Sequence, residues 1–164
     1  MTSPLEISQW LYHTSLATSI RESTLAFPII EGTHVLALSI SVGIIMFLDL
    51  RFLRFAFRDV PVSRLMRQMG PWMITGLIIM FITGILLFVT EAAKAYINPF
   101  FRVKMILLVL AGVNALVYQL KYYPKMEAWD TSKVVPIGVK TIAWISLIFW
   151  FAIIICGRTM AYEF

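Results

Sequence analysis

Four long apolar stretches, each of roughly 20 residues, constrain the fold of this chain more than any other feature. The stretch from Trp72 to Thr90 contains no charged residue. As an α-helix, a stretch of this length crosses the ~30 Å hydrocarbon core of a bilayer, because each residue adds ~1.5 Å. The sequence therefore predicts an all-α integral membrane four-helix bundle, with spans over about residues 28–50, 71–90, 100–120 and 141–157.

The composition places the chain in the same class. Hydrophobic residues account for 60% of the sequence and charged residues for 14%, and the mean hydropathy is +0.83. Soluble domains are less apolar and carry about 25% charged residues. Because four spans and their connections leave little of the 164 residues for anything else, we expect a single membrane domain without a soluble catalytic domain, and we favour a noncatalytic protein over an enzyme.

The segment before the first span has the pattern of a surface helix. Over about residues 4–20, apolar residues such as Ile7, Trp10 and Leu11 are interleaved with polar ones at helical spacing. A helix with one apolar face and one polar face lies in the plane of the membrane interface. We predict a short N-terminal interfacial amphipathic helix here.

Prolines mark two of the predicted helix starts. Gly70-Pro71 precedes the second span, and Asn98-Pro99 precedes the third. Asparagine is a good N-cap, and proline fits the first helical turn because its missing N–H has no partner there. We therefore expect the second span to open at Pro71 and the third to be capped by Asn98.

The basic residues are distributed unevenly between the connections. The net charge is +5, and nine of the fourteen Lys and Arg residues lie in the connections 51–68 and 121–140. Basic connections tend to stay in the cytoplasm, so this count predicts both chain termini on the opposite side. The position of the basic residues in these connections accounts for the net positive charge as a signal for membrane orientation. We therefore expect no nucleic-acid binding.

Three ionisable residues lie inside the predicted spans at similar depth. Glu31 and His34 fall in the first two turns of the first span, and Lys104 falls in the first turn of the third. Charged groups in a span are costly and usually pair or serve a function. Glu31 and His34 are three residues apart and are expected to share an inward face with Ser41. Lys104 is expected to pair with Glu31 or Glu91.

Two interpretations of this group remain open. In the first, the charges form a structural brace that sets the register of the helices. In the second, Glu31, His34, Lys104 and the deeper Asn114 bind a cofactor such as haem b or a quinone, or handle protons. A haem or metal would use His34 with His13, or His34 with a methionine. For Asn114 we favour an interhelical hydrogen bond over a ligand role.

Small residues suggest where helices approach one another. Gly76 and Gly84 lie eight residues apart in the second span and predict a face on which another helix packs closely. Gly32 and Gly43 are candidates for the same role in the first span. Cys156 is the only cysteine, which excludes an intrachain disulfide, and it is expected to be a small buried residue.

Several short motifs together resemble a known family. They are Glu-x-x-His (Glu31, His34), Asp-Leu-Arg (Asp49 to Arg51), Pro-Trp (Pro71, Trp72), Asn-Pro-Phe-Phe-Arg-Val-Lys (Asn98 to Lys104), Asn-Ala-Leu-Val-Tyr (Asn114 to Tyr118) and Gly-Arg-Thr-Met-Ala-Tyr (Gly157 to Tyr162). They are similar to an uncharacterised four-helix family of the bacterial inner membrane, a domain of unknown function. The resemblance covers nearly the whole chain and implies the fold and the location in the inner membrane, but no activity. With that location, the count of basic residues predicts that both termini are periplasmic.

The sequence thus leads to two hypotheses of different class. In the first, the chain is a noncatalytic accessory or structural subunit of a larger membrane complex, in contact with membrane lipids and with other membrane subunits or a second copy of itself. In the second, it is a redox-active or proton-handling protein with a haem, quinone or metal site near Glu31, His34 and Lys104.

Overall fold

The computed structural model describes residues 4–130 and 134–162. The helices, in chain order, are α1 (Pro4–Tyr12), α2 (Ser15–Glu22), α3 (Ala26–Phe52), α4 (Val62–Thr90), α5 (Ala92–Ile97), α6 (Pro99–Val117) and α7 (Ile137–Tyr162). A π-helical turn (Tyr118–Tyr122) and a 3-10 helix (Tyr123–Ala128) continue α6. No strand occurs in the described ranges.

Four of these helices are long and apolar enough to cross a membrane: α3, α4, α6 with its continuation to Met126, and α7. Apolar residues extend over most of each helix because a span must present a hydrophobic surface to lipid on every side that is not packed on protein. The all-α four-helix membrane fold predicted from the sequence is therefore confirmed.

The long helices pack as an antiparallel bundle in the spatial order α4, α3, α7, α6. The backbone of α3 contacts those of α4 and α7, and α6 contacts α7. Within the described residues the backbones of α4 and α6 do not approach closely. Side chains bridge this wider seam: Phe88 stacks on Phe101 with ring centroids 5.3 Å apart, and the Tyr118 hydroxyl lies 3.6 Å from the Met66 sulfur.

The two ends of the bundle are distinct. We call the end where α3 and α6 begin and α4 and α7 end the terminal end, because α1 and α2 pack there against α4 and α5. We call the opposite end the basic end, because it carries the connection between α3 and α4 and the segment between α6 and α7.

The structure differs from the sequence prediction at the start of α4. The helix begins at Val62, and Pro71 lies inside it. The first turns are amphipathic, with Val62 and Gly70 buried and Arg64 and Arg67 exposed. A proline inside a helix removes only one backbone hydrogen bond. The helix can therefore continue past Pro71 when the turns before and after it are packed against the rest of the bundle.

The N-terminal segment forms two short helices where one was predicted over about residues 4–20. Thr14 interrupts the segment: its hydroxyl donates to the Leu11 carbonyl at 2.7 Å and accepts from the Ala17 amide at 3.3 Å. It therefore caps α2 while closing the last turn after α1.

Two predictions about local packing are confirmed and one is wrong. The Asn98 side chain accepts from the amides of Phe100 and Phe101 and so caps α6. On α4, a Cβ atom at Gly76 would lie 3.0 Å from the Ser41 Cβ, and one at Gly84 would lie 3.1 Å from the His34 ring. By contrast, a Cβ at Gly32 or Gly43 meets nothing within 4 Å, so these two glycines do not mark a helix contact in the described chain.

Candidate functional site

His34 is held between α3 and α4 near the terminal end. Its Nδ1 atom lies 3.0 Å from both the Met80 carbonyl oxygen and the Thr83 hydroxyl. A carbonyl only accepts hydrogen bonds, so we assign the ring proton to Nδ1, which leaves Nε2 of the neutral ring as an acceptor. Gly84 makes the slot for the imidazole, because any side chain there would contact the ring.

Lys104 reaches from α6 toward α7. Its ammonium nitrogen lies 3.5 Å from the position that a Cβ atom at Gly157 would occupy. The ammonium lies within electrostatic range of the His34 ring and of the buried Cys156. All four long helices therefore meet at one place, which we call the terminal-end cluster: His34, Thr83, Lys104 and Cys156, with Gly84 and Gly157.

Glu31 does not belong to this cluster, and its predicted inward orientation is wrong. It is exposed on α3, whereas Ser41 is fully buried. The cause is helix geometry: at about 100° per residue, Glu31 is rotated about 60° from His34 and about 80° from Ser41. Residues three apart are neighbours on a helix surface, but only one of them needs to lie on the buried face. Here His34 lies on that face and Glu31 lies beyond its edge.

The predicted ion pair of Lys104 with Glu31 or Glu91 is not formed. Glu91 pairs instead with Lys94, at 3.1 Å and three residues away. Lys104 thus has no carboxylate partner in the described part of the chain.

Asn114 lies ten residues beyond Lys104, or ~15 Å deeper along α6. Its side-chain amide donates to the Ile142 carbonyl of α7 at 3.0 Å. The predicted interhelical hydrogen bond is confirmed, and Asn114 is separate from the terminal-end cluster.

The two histidines occupy different surroundings. His13 is exposed at the break between α1 and α2, where its ring meets Tyr12 edge-on at 5.3 Å, and His34 is part of the bundle. Among the described residues, the structure brings together no group of three or more His, Cys, Asp and Glu side chains that could hold a metal ion.

A second polar cluster lies at the basic end. Arg51 is 2% exposed and Asp49 is 4% exposed, although both belong to the last turns of α3. The Arg51 Nε atom donates to the Val60 carbonyl at 2.7 Å, and one terminal nitrogen lies 3.5 Å from the Asp130 carbonyl. Asp49 accepts from the Ser146 hydroxyl of α7. Arg51 therefore joins α3 to both connecting segments.

Asp130 completes this basic-end cluster by capping α4. Its carboxylate accepts from the Ser63 amide at 3.0 Å and from the Ser63 hydroxyl. Pro61, which precedes α4, makes no side-chain cap. An acid from a distant segment therefore neutralises the positive end of the helix dipole.

No sequence pattern singles out this cluster as buried. Asp49 and Arg51 belong to a motif at the end of the first span, where charged residues ordinarily reach the interface. Pro61 signals the start of α4, but no local pattern identifies Asp130 as the residue that caps it.

One of the comparisons with known proteins found a match. A family model described as a family of unknown function (DUF6644) matches residues 23–163, which include all four long helices. No curated protein and no solved structure matches the chain.

Proposed function

This chain belongs to DUF6644, a family of unknown function, and we propose that it serves as a noncatalytic accessory or structural subunit of a larger membrane complex. We further propose that the complex lies in the bacterial inner membrane, with both chain termini in the periplasm. The uncovered surface of α6 supports this proposal, and the internal bonding of the polar residues agrees with it.

The helix α6 is covered very little by the rest of the chain. Of the most apolar 18 residues of this span, 11% are buried, against 44% for α3. Its exposed surface is apolar along the whole helix and includes Val103, Ile106, Val109, Val113 and Leu116. At mid-length, Gly112 has open space beside it, which allows another helix to approach closely. This surface suits a second transmembrane protein as well as lipid.

The interior polar residues act as braces between helices. His34 joins α3 to α4, and Asn114 joins α6 to α7. In a membrane such bonds typically contribute about 0.6 kcal/mol each and define helix register. A rigid scaffold of this kind presents α6 in a fixed position to a partner.

We expect photo-crosslinking to detect a protein partner on α6. A photoreactive amino acid at Val109 or Val113, exposed by 65% and 52%, should give protein adducts in native membranes. Ile78 and Ile85 on α4, exposed by 54% and 59%, are the matched controls and should give mainly lipid adducts. Lipid adducts alone at all four positions would contradict the subunit proposal.

A redox-active or proton-handling role is the second candidate, because all four helices converge on His34 and Lys104. The test is an absorption spectrum of the gently purified protein, with mass spectrometry of what copurifies. For the subunit role we expect a colourless protein that brings down a defined set of subunits. A stoichiometric haem or quinone that is lost in His34→Ala, but not in the control His13→Ala, would instead establish the second role.

A further inference from the structure

We propose that the terminal-end cluster binds an anionic phosphate group through the Lys104 ammonium. This goes beyond the subunit role and does not depend on it. The first observation is the missing partner: among residues 4–130 and 134–162, the structure gives Lys104 neither a hydrogen bond nor an ion pair. A charged group inside a span needs such a partner.

The neighbours of Lys104 do not supply a negative charge. The Nδ1 atom of His34 is already hydrogen-bonded to Met80 and Thr83 of α4, and the neutral ring carries no charge. The Cys156 thiol is buried and behaves as a small apolar group. Glu31 is exposed on another face of α3, and Glu91 is held by Lys94. With Lys104 protonated, the cluster therefore carries a net positive charge, which stabilises an anion more than a neutral carbonyl.

The surroundings of the Lys104 ammonium also leave room for a phosphate group. Gly157 leaves room beside the ammonium, because a larger residue there would lie against it. Lys104 is half-buried and not sealed inside the bundle. A phosphate group can therefore reach its ammonium at the terminal end.

The depth of Lys104 favours phosphate as the ligand chemistry. The third span runs for 28 residues from Pro99 to Met126, which is ~42 Å and exceeds the ~30 Å hydrocarbon core by ~6 Å at each end. Lys104 lies five residues beyond Pro99, ~7.5 Å along the axis. The Lys104 backbone is therefore within ~2 Å of the edge of the hydrocarbon core, just below the lipid phosphates, and a flexible lysine side chain can cover the remaining distance. A lysine binds phosphate as a compact point charge with three donors.

The experiment uses the full chain purified in a neutral detergent and native mass spectrometry. The probes are phosphatidylglycerol, phosphatidylcholine and inorganic phosphate, each titrated against the protein. Helicity is checked by circular dichroism. Wild-type protein should bind one probe with a phosphate group, and Lys104→Met should weaken this binding by at least about tenfold. Lys104→Arg should retain it, and Lys121→Met at the basic end is the matched control.

The outcomes separate the sources of the phosphate. Binding of phosphatidylglycerol that depends on Lys104 identifies a lipid headgroup, whereas such binding of inorganic phosphate alone identifies a free anion. If Lys104→Met does not fold, Lys104→Gln takes its place with the same expectation. Equal binding by wild type and the neutral variants, or no binding of any probe, overturns the proposal. Since no partner protein is present, neither result bears on the subunit role.

Discussion

Arg51→Met lowers the free energy of unfolding by about 3 kcal/mol, the largest loss that we expect from any single polar substitution in this chain. The substitution removes a charge-assisted hydrogen bond to the Val60 carbonyl at 2.7 Å and the contact with the Asp130 carbonyl. It also leaves these acceptors, in a region where Arg51 is 2% exposed, without their donor. A lost partner at a buried acceptor costs more than the bond itself contributes.

The free energy of unfolding should be measured by titrating the protein in mixed micelles with sodium dodecyl sulfate and monitoring the loss of helix by circular dichroism. Arg58→Met is the matched control: Arg58 also donates to a backbone carbonyl, that of Arg54 at 2.6 Å, but it is exposed. We expect no measurable change there, because water replaces the lost bond. Arg51→Lys should fall between the two, since an ammonium cannot reproduce the forked donors of a guanidinium. Equal losses for Arg51→Met and Arg58→Met would show that Arg51 does not join the segments.

The burial of Arg51 depends on how the connection after α3 folds. Arg54 and Phe57 have positive φ angles, 61° and 52°, which turn the chain back over the end of the helix. Such angles are unfavourable for residues other than glycine by roughly 1–2 kcal/mol each. Without a Gly, Asn or Asp at either position, no local pattern signals this turn, so the sequence alone points to an exposed interfacial segment. Packing between distant segments decides the conformation instead.

Features governed by local rules were predictable from the sequence. The four spans follow from apolar length, the cap of α6 follows from Asn98-Pro99, and the contact faces at Gly76 and Gly84 follow from helical spacing. Each requires knowledge of only one helix. The same holds for His34 as an interior residue, because a polar side chain in a span is stabilised by a partner inside the bundle.

Features governed by the rotation of one helix against another were not predictable. The position of Glu31 depends on where the buried stripe of α3 ends, which is set by the direction from which α4 and α7 approach. Lys104 was correctly expected near the depth of His34, but its partner could not be deduced from depth alone. Depth gives one coordinate of a side chain, and the angle around the helix gives the other.

Gly76→Leu should lower the free energy of unfolding by about 3 kcal/mol, because it forces α3 and α4 apart at a point of close contact. A Cβ atom at this position would lie 3.0 Å from the Ser41 Cβ and 3.2 Å from the Ala37 carbonyl oxygen. Both atoms belong to or adjoin the backbone and cannot move aside without moving the helix. The gain in helix propensity over glycine, roughly 1 kcal/mol at most, is smaller than this cost.

Gly112→Leu is the matched control, because a Cβ at Gly112 meets nothing within 4 Å and the residue is exposed on α6. Denaturation in mixed micelles should show a stability equal to or slightly above that of the wild type for this variant. In native membranes the same substitution should reduce the crosslinks from Val109 if a partner helix packs on Gly112.

A separation of α3 and α4 in Gly76→Leu should also lengthen the hydrogen bonds of His34 to Met80 and Thr83, which lie one to two turns from Gly76. The imidazole resonances of His34 should then shift in Gly76→Leu and stay unchanged in Gly112→Leu. Equal stability of the two variants, with unshifted resonances in both, would mean that Gly76 does not set the distance between these helices.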